Sequence, residues 1–282
     1  MLDKYLYYND ILSLGGGRDA ALPNLLTPHG GEIVKRLLLV AFSLMMVASM
    51  VLAGCTAPTA AKVRVATDAT WPPFESVDEA TKELTGFDIE LMKAVADKAG
   101  FEIEWVNTPF DTVITGVTQC DYDLAIAAIT ITEERKAEML FSDPYLPAGQ
   151  IVVIRKETTD IKGVADLVGK TVAAQLGTTG EIEAQKIEGI TYKPYDTVDL
   201  AFLDLSNGQV DAVIADYPTA LAFIGQNPDK LTLTGDVFTN EYYGIAACKT
   251  QTALIEKINA ALKELTDAKV LYDLEQKYLA GQ

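Results

Sequence analysis

The chain has 282 residues, room for two modest domains, and 49% of them are hydrophobic, which excludes disorder. Its net charge of −17 lies entirely in residues 55–282, because residues 1–54 hold four basic and four acidic groups. A surface so acidic repels phosphate backbones, which disfavours nucleic-acid binding; solubility alone accounts for the charge. The only histidine is His29, ahead of the expected cut before Cys55, so the chain from Cys55 onward has none. Ser-His and Cys-His nucleophile pairs and His-ligated metal sites are thereby excluded, and no cofactor or metal is expected. Cys55, Cys120 and Cys248 are isolated, with no CxxC spacing. Cys120 and Cys248 are read as free thiols rather than a pair, although spacing by itself cannot decide the matter.

Lys35-Arg36 precede an apolar run from Leu37 to Leu52, which ends in Leu52-Ala53-Gly54-Cys55. A basic start, a short apolar core and small residues before a cut describe a secretory signal rather than a membrane span. The Leu-Ala-Gly-Cys ending resembles the bacterial lipobox, in which Cys55 is acylated and becomes the new N-terminus, tethering the protein to a membrane without spanning it. Residues 1–33 have no clear periodicity and look foreign to this leader. The natural start is expected at Val34, read from a GTG codon, since codons for Gly30-Gly31-Glu32 can spell a ribosome-binding sequence. The leader is then 34–54 and a Thr/Ala/Pro tether 55–61.

Lys62 to Ala66 alternates like a first strand and runs into Thr67-Asp68-Ala69-Thr70-Trp71-Pro72-Pro73-Phe74, a loop stiffened by its prolines. A helix from Gly86 to about Ala99 follows, then a strand over Glu102 to Val106, a short helix from Phe110 to near Gln119, and an apolar strand from Leu124 to Ile129. The pattern restarts with strands over Gln150 to Arg155, Thr171 to Ala174, Thr191 to Tyr195 and Ala212 to Ala215. Helices are expected over Ile161 to Leu167, after Gly180, and near Val198 to Asn207. A strand over Tyr242 to Ala247 and two helices, about 252–267 and 269–278, close the chain. Such alternation predicts two α/β halves with parallel sheets and helices on both faces. Ligands bind such folds in clefts at the carboxyl ends of strands.

Thr132 reads as the N-cap of a helix, with Arg135 at its third position. A cation in the first turn opposes the helix dipole, so the choice points to an anion held by the guanidinium fork. Taken alone, Arg135 reads better as a surface charge paired with Glu138 or Asp143, since most first-turn charges are solvated. However, Asp68, Arg135, Thr178 and Asp216 each stand at a predicted strand end, so four polar groups converge by one rule. Gly177-Thr178-Thr179-Gly180 lacks the lysine and spacing of a phosphate-binding P-loop. Trp71 and Phe110, taken alone, read as core aromatics.

The segments Asp68-Ala69-Thr70-Trp71-Pro72-Pro73-Phe74, Gly86-Phe87-Asp88-Ile89-Glu90-Leu91, Thr130-Ile131-Thr132-Glu133-Glu134-Arg135 and Phe141-Ser142-Asp143-Pro144-Tyr145 together resemble the polar amino-acid-binding proteins of ABC importers, extracellular solute-binding protein family 3. The resemblance runs from about Lys62 to the C-terminus. It implies a periplasmic-binding-protein-like fold of type II, with two α/β lobes joined by two hinge strands and closing on a ligand. Lobe 1 would comprise 62–145 and 244–282 and lobe 2 would comprise 146–243, with crossovers near 145–149 and 239–243. It further implies that Arg135 clamps an α-carboxylate, helped by Thr130 and the backbone around Thr178 and Thr179, while Asp216 takes the α-ammonium. Trp71 and Phe110 would sandwich the ligand side chain, Asp68 would meet its polar or cationic end, and Ala128 and Gln175 would complete the lining.

Gln175 stands where glutamine binders typically carry a lysine, and Thr179 replaces a glycine. Gly177-Thr178-Thr179 and Glu241-Tyr242-Tyr243-Gly244 look nearer to the arginine/lysine/histidine binders. The implied ligand is a basic amino acid, arginine before glutamine, handed to a membrane permease by a lipid-anchored, extracytoplasmic monomer. A dehydratase-like enzyme on the same scaffold, with Asp68 and Asp216 as acid and base, is the rival from another class.

Overall fold

The computed structural model describes residues 35–42 and 62–280. The expected start at Val34, the tether and the acylated Cys55 lie outside those residues. The chain divides into two compact units, Met1–Thr59 and Ala60–Gln282. In the first unit a helix, α1, covers residues 35–42. No helix among the described residues is long and apolar enough to cross a membrane.

The second unit begins with strand β1 (Val63–Thr67) and three short strands, β2 (Thr70–Trp71), β3 (Glu75–Val77) and β4 (Leu84–Thr85), followed by helix α2 (Phe87–Ala99). Next come β5 (Ile103–Asn107), α3 (Phe110–Thr118), β6 (Leu124–Ala125), α4 (Glu133–Glu138) and β7 (Leu140–Phe141). After β8 (Leu146–Ala148) the chain builds β9 (Gln150–Arg155), β10 (Thr171–Gln175), α5 (Thr179–Gln185), β11 (Thr191–Tyr195), α6 (Val198–Ser206), β12 (Ala212–Asp216), α7 (Tyr217–Gln226) and β13 (Leu231–Thr234). It ends with β14 (Glu241–Tyr243), β15 (Ala246–Ala247), α8 (Thr252–Asp267) and α9 (Val270–Tyr278).

Two five-stranded sheets result, in the orders β5-β1-β6-β15-β7 and β11-β10-β12-β9-β13. They are mixed rather than parallel: β15 runs antiparallel to β6 and β7, and β9 runs antiparallel to β12 and β13. The reason is topological. Strands β9 and β15 enter their sheets directly from a crossing strand, without the right-handed helical connection that parallel pairing requires. The crossing strands β8 and β14 pair antiparallel with each other, Leu146 opposite Tyr243 and Ala148 opposite Glu241, which makes a two-stranded ribbon between the sheets.

Both faces of each sheet are covered, which explains why the central strands read as continuous apolar runs. In β9, Ile151 and Val153 pack on one side with Phe202 and Phe223, while Val152 and Ile154 pack on the other with Leu167 and Ala184. In the first sheet, Val65 and Leu124 face α2 and α8, and Ala66 and Ala125 face α3. Each such fully buried aliphatic side chain contributes about 1.5–3 kcal/mol.

Four further differences from the sequence reading have physical causes. The strand expected over Leu124 to Ile129 stops at Ala125. Residues Ile126 to Ile129 are buried but leave the ladder, because Ala128 turns the chain with φ of +47°. Only Val164–Leu167 of the helix expected from Ile161 forms, as a single 3-10 turn. Helix α7 and strand β13 were not anticipated, although Pro218 in the first turn of α7 is a helix-start signal. Finally, Cys120 and Cys248 are not free thiols but form a disulfide, with Cα atoms 5.0 Å apart. Pairing of β6 with β15, Leu124 opposite Ala247, brings together cysteines 128 positions apart.

Candidate functional site

The polar residues singled out by the sequence stand at the ends of β1, β10 and β12 and in the first turn of α4, and hydrogen bonds between the two sheets' sides bring them together. Thr132 caps α4 as expected, its hydroxyl accepting from the Arg135 amide at 3.1 Å. That cap fixes the position of Arg135, which is only 8% exposed. Its guanidinium donates to the Thr130 carbonyl at 2.7 Å and, from Nη2, to the Gly177 carbonyl at 2.8 Å, thus linking the α4 side to the α5 side. The guanidinium carbon lies 5.6 Å from the centre of the Phe110 ring. Neither Glu138 nor Asp143 is a partner. A guanidinium whose hydrogen bonds go to neutral carbonyls keeps its full charge, and burial lowers its pKa to about 10.

Facing it are carboxylates. Asp216, the last residue of β12, is 4% exposed and accepts from the Tyr243 hydroxyl at 2.7 Å and from the Gln150 carboxamide. Burial, reinforced by the nearby charge of Glu241, pushes its carboxyl up to about 7. Glu241 was missing from the sequence-derived site; its Oε2 accepts from Thr179 at 2.9 Å, Thr130 at 3.1 Å and Gln150 at 3.2 Å. The other expected threonine, Thr178, caps α5: its hydroxyl accepts from the Glu181 amide at 3.1 Å and donates to the Gln175 carbonyl at 2.7 Å.

At the other end of the cleft, Asp68 is buried just past β1 and accepts from Thr70 at 2.9 Å and from Gln175 at 2.7 Å. Both partners are neutral, so its charge has no hydrogen-bonded counter-ion, and burial raises its pKa. The Gln175 carboxamide also accepts from the Trp71 indole N–H, which ties β2 to the end of β10. Trp71 and Phe110 do face each other, with ring centres 6.2 Å apart and planes tilted by 37°. A planar group stacked between parallel rings needs roughly 7 Å, two van der Waals spacings. These rings therefore hold no ready slot, and they must separate to admit one.

Ala128 adopts its left-handed conformation while its amide donates to Asp88 at 2.7 Å. That geometry costs an L-residue on the order of 1–2 kcal/mol and is held by the buried anchor below it. Asp88 also accepts from Tyr145 at 2.8 Å. Burial pushes Asp88 up to about 6 and Glu75, beside it, well above the usual range.

Gln150, Glu241 and Tyr243 escaped the sequence reading as site residues. One signal was available for the first: a fully buried glutamine heading a strand of Ile-Val-Val-Ile must find polar partners. A separate cavity of about 480 Å³, lined among others by Lys136, Phe141, Asp143 and Tyr242, contains none of the expected site residues.

The raised acids set a sign for pH dependence. Asp216, Asp88 and Glu75 have folded-state pKa values above their unfolded ones, so their contribution to stability is full below about pH 4. The Asp88 and Asp216 contributions are lost as pH rises through about 6 and about 7. The protein without ligand is therefore expected to melt several degrees higher at pH 5 than at pH 7.5 by scanning calorimetry, and Asp216→Asn should flatten that slope. A wild-type melting temperature that instead rises over this range would refute the assignment.

The family model of the bacterial extracellular solute-binding proteins, family 3, matches residues 63–281. The chain is 36% identical over 212 residues to ABC transporter arginine-binding protein 1 of Escherichia coli K12, covering 73% of this chain and 86% of that one. An ancestral arginine-binding protein solved with arginine superimposes with a TM-score of 0.75 at 41% identity, covering 79% of this chain and 100% of the other. An ancestral arginine-binding protein solved with glutamine gives 0.74 at 42% identity, covering 78% of this chain and 98% of the other.

Proposed function

Because the chain belongs to the bacterial extracellular solute-binding proteins of family 3, we propose that it is the amino-acid receptor of an ABC importer, with arginine as the preferred ligand. The observation that carries this reading is the Arg135 guanidinium, buried between carbonyls of both sides and opposed by the Asp216 carboxyl. A zwitterion needs one fixed cation and one fixed anion, both shielded from water. Arg135 takes the ligand carboxylate and Asp216 the α-ammonium. Thr130, Thr178, Thr179 and Ala128 line that end of the cleft, and Asp68, Gln175, Trp71 and Phe110 line the side-chain end.

Charge balance supports a basic ligand. Among the described residues that form this cluster, one cation, Arg135, stands against three carboxyl groups, Asp68, Asp216 and Glu241. A neutral zwitterion leaves that excess untouched, whereas a cationic side chain meets Asp68, whose own partners are neutral. Gln175 in place of a lysine keeps a competing cation out of the same spot. A micromolar affinity corresponds to about −8 kcal/mol, within reach of one bidentate carboxylate contact, one ammonium contact and one stacked side chain. Closure of the lobes about the β8–β14 ribbon would trap the ligand, and the closed form would then dock on the permease. A leader removed before an acylated Cys55 would hold the monomer at a membrane surface.

Isothermal titration of the purified protein with arginine, lysine, histidine and glutamine tests the ligand assignment. Arginine should bind at least tenfold more tightly than glutamine. Tight glutamine binding with no arginine heat would reverse the order.

A further inference from the structure

The ribbon that joins the two sheets brings three acceptors around one nitrogen. Gln150 opens β9 and is fully buried, and its Nε2 donates towards Asp216 Oδ1, Thr179 Oγ at 3.0 Å and Glu241 Oε2 at 3.2 Å. A carboxamide nitrogen has two hydrogens, so it cannot fill three acceptors at once; a primary ammonium has three and carries the charge that two carboxylates favour. Turning the carboxamide over would aim its oxygen at both carboxylates, so the nitrogen is held on this side by repulsion as well as by attraction. The arrangement has a cost on the far side, where Gln150 Oε1 is buried and accepts no hydrogen bond. A side chain that leaves its own acceptor unsatisfied in order to serve an over-subscribed cluster is standing in a place shaped for something else.

We propose that the Gln150 carboxamide nitrogen is a built-in stand-in for a primary ammonium, and that the ligand's ammonium displaces it from among Asp216, Thr179 and Glu241. Glu241 thereby becomes a ligand-binding residue rather than a strut of the hinge. This rests on the amino-acid reading above and deepens it. The acceptors come from separate parts of the chain: Asp216 ends β12, Thr179 opens α5, and Glu241 lies on the crossing strand β14. Glu241 Oε2 also accepts from Thr130 on the α4 side, so the subsite is complete only when the two sides meet. An ammonium bound there joins the ribbon to both, and it selects for three N–H bonds: N-methylation of the ligand removes one of them.

The test compares arginine with 5-guanidinopentanoic acid, which keeps the carboxylate and guanidinium but lacks the α-ammonium, by titration calorimetry on wild type, Glu241→Gln, Thr179→Val and Gln150→Ala. Glu241→Gln should weaken arginine at least tenfold and leave the des-amino analogue within threefold of its wild-type affinity. Thr179→Val, which keeps both carboxylates but removes one acceptor and the hydroxyl's own bond to Glu241, should show the same selectivity with a smaller loss of about threefold. Gln150→Ala, with the stand-in gone, should bind arginine at least threefold more tightly and the analogue unchanged. Equal losses for both ligands in Glu241→Gln, or none for either, would reduce Glu241 to a part of the hinge and overturn the proposal. So would a weaker arginine affinity in Gln150→Ala. If wild type binds another amino acid in place of arginine, the arginine preference falls, and the same comparison with that amino acid and its des-amino form decides the subsite. If wild type binds no amino acid, the receptor reading and the subsite fall together.

Discussion

Replacing Arg135 with alanine is expected to weaken amino-acid binding at least 30-fold to 150-fold, equivalent to about 2–3 kcal/mol, because the ligand carboxylate would be left buried without its partner. The loss has two parts. The guanidinium is the only cation among the described side chains that hydrogen-bonds to both sides of the cleft, through the Thr130 and Gly177 carbonyls. Those carbonyls fix its plane, so its free edge is ready for a carboxylate with little further ordering. Truncation therefore removes a counter-charge and also leaves two carbonyl oxygens without their donor. Arg135→Lys restores the charge but not the fork, and should recover only part of the loss. Titration calorimetry reads both variants; an Arg135→Ala affinity within threefold of wild type would mean that the anion site lies elsewhere.

The second large effect concerns stability. Changing Cys120 and Cys248 together to alanine is expected to destabilise the protein by about 2–5 kcal/mol. The bond closes a loop across a sequence separation of 128, which spans the whole of the second sheet. A long closed loop restricts the unfolded chain strongly, and the chain-entropy account gives roughly 5 kcal/mol for a loop of this size. The double change avoids leaving a lone thiol at Cys248, which is buried. Urea titration of wild type with and without reductant, beside the double variant, measures the effect. A midpoint that moves by less than about 0.3 M in both comparisons would show that the cross-link adds little. An extracytoplasmic location suits such a bond, since it persists in oxidising surroundings.

Local order was largely readable from residue patterns. The β-branched run from Gln150 to Arg155, the strand from Thr191 to Tyr195 and the helix from Thr252 to Asp267 have the bounds that periodicity indicates. The Thr132 cap formed as its position before the helix suggests. These features depend on a few neighbouring residues: alternation along a strand, a stripe on a helix, a hydroxyl three residues before an amide. Apolar content was less decisive. The run Leu124 to Ile129 is buried throughout, yet only its first two residues form a strand, because burial does not distinguish a ladder from a turn held by Asp88.

Residue type along the chain thus determined most of the order of strands and helices, with α7 and β13 the exceptions, together with the two-part α/β plan and the family motifs, including the guanidinium at the start of α4. Tertiary structure alone decided that Cys120 meets Cys248, that Trp71 reaches Gln175 across 104 positions, and that Gln150 and Glu241, 91 apart, share one cluster with Asp216. The physical reason is that cross-linking, desolvation and charge pairing depend on which groups are brought together in space, and those neighbours are chosen by the whole fold rather than by any stretch of the chain.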